Sequence, residues 1–293
     1  MFRSLYVAVV AALSLSAAAA PLQSRNNGVD DVTILNYALT LEHLENAFYH
    51  EALSKFDEKA FTDAGLPDSA RGRFNEIASH EQTHVDFLSK ALGDKATQPC
   101  TYSFPYTDPK SFVALSQVLE GVGTSAYAGA AKFISNKDYL TAAATILTTE
   151  ARHAGFVSSA INKFAAWGGA FDTPLGFNEV YTLAAPFITS CPDSNPKLPV
   201  TAFPDLTVAN AAPGQAAAVT SKADKAASHI AFFSGLDQIF VPINNGQVMI
   251  PQGLKGQIYA VATTSATAAT DDVIVAGPAI LLYEYDYQGN LMQ

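Results

Sequence analysis

Basic charge and cysteine are both scarce in this chain. Its 293 residues carry 27 Asp and Glu against 17 Lys and Arg, a formal net charge of −10. No basic stripe is available to displace counterions from a phosphate backbone, which excludes nucleic acid as a partner class. The only two cysteines, Cys100 and Cys191, cannot build a zinc finger or an iron–sulfur cluster. None lies in the C-terminal hundred residues, so a blue-copper site is excluded there. No Asn-x-Ser/Thr triplet occurs, so N-glycosylation is not expected. Beyond the N-terminus no apolar run is long enough to span a bilayer, and no membrane anchor is expected.

The N-terminus reads as a secretory signal over residues 1–20. Arg3 supplies the positive start and Leu5 to Leu15 the apolar stretch. Ala17 to Ala20 offer small residues for cleavage, before Pro21 or one residue earlier. The expected location is therefore extracellular or in the cell wall. An oxidising compartment favours a Cys100–Cys191 disulfide over two buried free thiols. Such a bridge closes a loop of about 91 residues, worth roughly 4–5 kcal/mol in the chain-entropy picture.

With 49% apolar residues, the chain has the length and composition for two packed domains. Helical spacing runs over residues 30–57, with Ile34, Tyr37, Leu41 and Phe48 on related faces and Asp30 or Asp31 as the cap. Gly65 and Pro67 mark a loop. A second helix is predicted from Ala70 to Leu92, stopped by Gly93, and a third from Pro109 to about Ile134. A fourth is expected from Tyr139 to Trp167, ended by Gly168-Gly169. A shorter one follows near Phe177 to Ile188. The 16-residue link between helices two and three can reach roughly 50 Å when extended. A 25-residue helix is about 37 Å long, so the link can cross a whole four-helix bundle.

Composition changes after residue 190. Pro192, Pro196, Pro199 and Pro204 mark a linker, and strands are predicted at 229–233, 238–243, 247–251, 257–263, 273–276 and 280–285. Asn245-Gly246 is a hairpin signal. The expected class is α+β and multidomain: a helical bundle with an extra short helix over 30–190, then a β-sandwich over 200–293.

Two Glu-x-x-His pairs carry the chemistry: Glu81/His84 and Glu150/His153, 69 residues apart. Each sits on the second helix of a predicted hairpin. The first helix of each hairpin carries Leu-Glu and a Tyr seven residues after the Glu, Leu41-Glu42 to Tyr49 and Leu119-Glu120 to Tyr127, at an offset of 78. The difference in offset falls in the turns, where insertions are tolerated. Spacing of three puts each Glu and His on one helical face. Four carboxylates and two neutral imidazoles total −4, which two divalent cations cancel; burial without them is prohibitive unless protons replace them. An oxygen-rich set with two imidazoles suits iron, with manganese as the alternative.

Neighbouring residues leave alternatives open. Glu45 shares a face with Glu42, but its counterpart in the repeat is Gly123, so it is read as hydrogen-bonding behind the ligands or facing solvent. Tyr49 and Tyr127 are core tyrosines with bonded hydroxyls, hydrogen-bond donors to the ligand carboxylates, or electron donors. Gly121, Gly123, Ala126, Gly129 and Ala130 fit close helix packing, or else a path for a small oxidant. His43, His50 and His80 are read as surface or hairpin-packing residues, and His229 as locally satisfied.

These residues resemble the ferritin-like superfamily. The segment from Leu35 to Tyr49, with Ile250 to Gln257 and Ala276 to Ile280, is similar to a branch of secreted fungal ferritin-like proteins that includes stress-response and late-sexual-development types. The resemblance implies a di-metal centre at Glu42, Glu81, His84, Glu120, Glu150 and His153, without implying a reaction. The leading expectation is a secreted oxidoreductase acting on dioxygen or hydrogen peroxide, ferroxidase- or catalase-like, linked to stress response or development. The alternative is a non-enzymatic surface or cell-wall protein, self-associating or wall-bound through its β-domain, whose two cations are structural.

Overall fold

Three of the four long helices start where a polar side chain satisfies open N–H groups. In the computed structural model, which describes residues 29–292, Asp30 accepts from the Thr33 N–H at 2.8 Å and opens α1 (Asp31–Lys55). Asp57 opens a short α2 (Glu58–Asp63) inside the stretch expected to be loop, and Phe61 from it enters the core beside Phe74 and Phe112. α3 (Ala70–Leu92) stops at Gly93, whose φ of 57° suits glycine. Asp108 and Ser111 form a capping box around Pro109 at the start of α4 (Pro109–Ala130). Asn136 caps α5 (Lys137–Phe156), while α6 (Phe177–Ala184) follows a loop. The expected signal segment, residues 1–20, lies outside the described residues.

α1 packs on α3 and α4 on α5, giving two hairpins joined by the long link. That link is held at its start by α1: the Asn36 Oδ1 accepts from the Thr97 N–H at 2.8 Å, and a His43 ring nitrogen lies 3.2 Å from the Thr97 carbonyl. Further on, β1 (Thr101–Tyr102) pairs with β2 (Ile188–Ser190), and Cys100–Cys191 bridges beside that ribbon.

The fourth long helix ends earlier than its apolar period predicts. It opens into a π turn at Val157–Ile161 and does not continue to Trp167. Ser158 donates to the Ala165 carbonyl at 2.6 Å, the Ala165 N–H donates to the Tyr285 carbonyl at 2.8 Å, and Lys163 takes a φ of 66°. Contacts to the following domain therefore take the backbone groups that would have extended the helix.

The C-terminal part is a β-sandwich. One sheet has the order β10-β9-β8-β5-β6, formed by β5 (His229–Ser234), β6 (Asp237–Pro242), β8 (Gly256–Thr263), β9 (Ile274–Tyr285) and β10 (Leu291–Met292). The other has the order β3-β4-β7, from β3 (Leu206–Val208), β4 (Ala216–Ser221) and β7 (Gln247–Met249). Two departures from expectation have local causes. β3 and β4 are not predicted, since Ala216-Ala217-Ala218 has low strand propensity. The predicted 273–276 and 280–285 are one strand, β9, running through Gly277-Pro278 where pairing with β8 is irregular. Asn245-Gly246 does make a tight turn, both residues at positive φ, closing the Asn244–Gln247 bridge.

The central strands β5 and β8 of the five-stranded sheet are buried on both faces, which is why β8 is apolar almost throughout. Ile258, Ala260 and Ala262 face the other sheet with Ile230 and Phe232. Tyr259 and Val261 face the helices, with Ala231, Phe233, Val122, Ala126 and Val180. The result is three layers: helices, central sheet, outer sheet. The Tyr259 hydroxyl donates to the Gly121 carbonyl at 3.0 Å, and Gln257 donates to the Val118 carbonyl at 3.2 Å. A Cβ on Gly129 would sit 1.7 Å from the Leu175 carbonyl oxygen, so part of the small-residue stripe on α4 serves close packing.

Gly129→Ala should therefore lower stability in chemical denaturation, by about 1–3 kcal/mol or more. Gly72→Ala, on the same scale, should be neutral or stabilising by up to about 1 kcal/mol, since nothing lies within 4 Å of its Cβ and the site is an exposed helix turn. Equal losses at both positions would contradict close packing at Gly129.

Candidate metal centre

Four helices bring the six predicted ligands to one buried point. Glu42 comes from α1, Glu81 and His84 from α3, Glu120 from α4, Glu150 and His153 from α5. All are buried, and Glu42, Glu81 and Glu150 have no exposed surface. They form two groups whose donor atoms lie within 4.8 Å of one another: Glu42, Glu81, His84 and Glu150, then Glu81, Glu120, Glu150 and His153. Glu81 and Glu150 are common to both. The groups are exchanged by the internal repeat, each keeping one unshared Glu and one His.

The donor set fits cations better than it fits itself. His84 Nδ1 lies 3.2 Å from an oxygen of each of Glu42, Glu81 and Glu150. One ring nitrogen carries one proton or one lone pair and serves at most one of them well. His153 Nδ1 lies 3.1 Å from Glu81 and 3.3 Å from Glu120. Among the buried atoms without a hydrogen-bond partner are Glu81 Oε1, Glu120 Oε2, both Glu150 oxygens and His153 Nδ1. Convergent buried acceptors of this kind call for a positive centre.

The tyrosines are wired crosswise. Tyr127 of α4 donates to Glu42 of α1 at 2.5 Å, and Tyr49 of α1 donates to Glu120 of α4. Tyr49 also bonds Ser116 at 2.8 Å. Burial and the adjacent carboxylates push both phenols well above their usual range, so they remain protonated donors. Of the readings left open in the sequence, hydrogen bonding to the unshared glutamates is what the structure shows.

Two further residues meet the cluster through tertiary contacts. His80 is on the surface but its ring stacks on His153, with Nδ1 2.9 Å from His153 Nε2. It can therefore orient that imidazole while Nδ1 of His153 faces the carboxylates. No sequence signal identifies it, because its counterpart in the repeat is Thr149 and the α3–α5 register is a tertiary fact. Glu45 does not face solvent: it is 5% exposed, and a Cβ at Gly123 would sit 2.8 Å from its Oε1 and 3.3 Å from Glu150 Oε2. Its carboxyl fills the space that the repeat leaves open at glycine. His43 is buried against the link, and His229 has Ser228 beside its Nδ1 at 2.9 Å.

Protons balance charge in this arrangement. Burial pushes Glu42 up to about 7, beyond the pull of His84 and Tyr127. Burial and neighbouring carboxylates push Glu150 and Glu45 well above the usual range. Burial would also raise Glu81, but His153 and His84 outweigh it and bring it down to about 2. Burial opposes charge on the imidazoles too, yet the facing carboxylates hold His84 up at about 12 and His153 at about 11.

The family model of the ferritin-like domain matches residues 30–163. Over those residues the helical part of the chain is similar to the ferritin-like domain. Protein rds1 of Schizosaccharomyces pombe (strain 972 / ATCC 24843) is 30% identical over 181 residues, 60% of this chain and 44% of that protein. The match thus spans less than half of that relative. A ferritin-like fold with buried Glu/His groups of this composition is compatible with a di-metal site.

The proton balance generates a pH signature. A group whose value is raised by folding stabilises below its unfolded value and loses that contribution as pH rises through its folded value. The window is about 4.5 to 7 for Glu42, and from about 6.5 up to 11 or 12 for the histidines. Glu81 has the opposite sign, its contribution being lost only as pH falls from 4.5 through about 2. After chelation, the Tm should therefore fall as pH is raised from about 5 to about 8. Added Fe²⁺ or Mn²⁺ should raise Tm most at the upper end, because cations displace those protons. A chelated protein whose Tm climbs over that range would contradict the charge balance.

Proposed function

We propose that the cluster holds two divalent cations, iron or manganese, and that the protein is an oxidoreductase acting on dioxygen or hydrogen peroxide. The observation that carries this reading is the sharing of Glu81 and Glu150 between the two four-residue groups. Glu42 and His84 would complete the site of one cation, Glu120 and His153 that of the other. A redox-active cation pair supplies the electrons and the Lewis acidity for such chemistry when bound.

The remaining residues set the conditions for it. Tyr127 and Tyr49 hold Glu42 and Glu120 in place by hydrogen bonds, and His80 supports His153. Phe48, Phe74 and Phe112 pack around Tyr49 and close that end of the bundle to water. Secretion is part of the proposal. It is supported by the Cys100–Cys191 disulfide and by the finding that no helix of the described residues is long and apolar enough to cross a membrane. A role in stress response or development rests on the family resemblance alone.

A structural centre is the second reading, and one observation favours it. All four long helices meet at these carboxylates, so cations held there would tie the bundle together. The site would then stabilise a surface or cell-wall protein that associates with itself or the wall through the β-sandwich.

Elemental analysis of the secreted protein should find two iron or manganese ions per chain, and Glu81→Ala should reduce this by at least one. Stopped-flow mixing of the reduced, loaded protein with peroxide and with dioxygen should give a spectral change with at least one of them, lost in Glu81→Ala. Two bound ions without any response to either oxidant would favour the structural reading. No bound transition metal would overturn both.

A further inference from the structure

A cavity of about 380 Å³ lies between the bundle and the β-sandwich, a size typical of small-molecule sites. Its walls come from α1, α4, the end of α6, β3 and β9, and include Leu44, Val122, Leu183 and Ala279. Glu45 is the one charged residue in the lining, and Thr207, exposed on β3, is the one other polar side chain. The cavity is not remote from the carboxylate cluster. Gly123 lines it too, and the position of a Cβ there is within 3.3 Å of Glu150 Oε2 and 2.8 Å of Glu45 Oε1. Glycine at 123 thus lets one wall of an apolar chamber touch both the shared carboxylate Glu150 and the otherwise unassigned Glu45.

The lining discriminates between chemical classes. An anion placed here meets Glu45 with Glu150 behind it, and no Lys, Arg or His lines the walls to pair with it. A sugar or a nucleotide has more polar groups than the walls can satisfy. An ammonium paired with Glu45 would be stripped of water with at least one of its three donors left facing apolar walls, so desolvation outweighs the attraction. A hydrocarbon body with one hydroxyl brings a single donor, which the Glu45 carboxyl can accept.

We propose that this cavity binds an uncharged hydrocarbon bearing a single hydroxyl, with its apolar body along the walls and its hydroxyl on the Glu45 carboxyl. Binding stands on the cavity alone; that the molecule is a substrate rests on the di-metal reading.

The test titrates the full secreted chain with 1-octanol, octanoate and octylammonium by isothermal calorimetry, with metal content measured on the same samples. One saturable site for 1-octanol is expected, with octanoate and octylammonium each binding at least tenfold more weakly. Ala279→Trp should fill the chamber and weaken 1-octanol at least tenfold. Thr207→Trp on the exposed face of β3 should do the same if Ala279→Trp fails to fold. Glu45→Leu should remove most of the preference for 1-octanol over octanoate. Absent or non-saturable octanol binding, binding indifferent to the tryptophan variants, or equal or tighter binding of either charged probe overturns the proposal. Octanol bound by a chain that holds no metal would leave the cavity assignment standing and sink the di-metal reading. Metal bound without octanol would do the reverse.

Discussion

Five glutamates are buried within one small volume of this protein, and the rest of the architecture follows from accommodating them. Like charges in a low-dielectric interior are tolerable only if protons or cations offset them. The structure supplies two imidazoles, whose values are driven far upward, and places them so that each faces several carboxylates. It supplies two tyrosines that bond the unshared glutamates across the bundle. The arrangement is symmetric because the chain repeats itself, and each hairpin supplies the tyrosine that steadies the other hairpin's glutamate. One break in that symmetry, Glu45 against Gly123, is where the cluster touches the cavity.

The β-sandwich is more than an appendage. Its five-stranded sheet lies against α4 and α6, and Tyr259 and Gln257 reach polar atoms of the helix that carries Glu120. A buried chain of hydrogen bonds, Asn162 to Gln117 to Glu284, ties the end of the fourth long helix to β9. Those contacts also explain why that helix stops at a π turn shortly after His153. The geometry of the site and the presence of the second domain are therefore coupled through α4 and the residues following α5.

Much of this was legible from residue order. The Glu-x-x-His pairs and their upstream glutamates could be read because a helical period of 3.6 converts spacing into a shared face, and because repetition at constant offset is hard to obtain by chance. The end of the second long helix at Gly93, the Pro109 start and the Asn-Gly turn were likewise written in capping and turn chemistry. Short strands such as Leu206–Val208 and the alanine-rich Ala216–Ser221 were not, since their pairing is long-range and their composition neutral. The fourth helix is shorter than its periodicity predicts, since apolar spacing continues past the point where the Tyr285 carbonyl takes the Ala165 N–H.

By itself the chain determined which groups can be ligands, that they come as two related sets, and that helices precede strands. These depend on local spacing, local caps and charge, which neighbouring residues settle among themselves. Only the tertiary structure decided that Glu81 and Glu150 are held in common, that His80 backs His153, that Glu45 turns inward, and that an apolar chamber opens beside it. Each of those depends on the register between elements far apart in the chain, which is set by packing against the whole core and has no signature in any one segment.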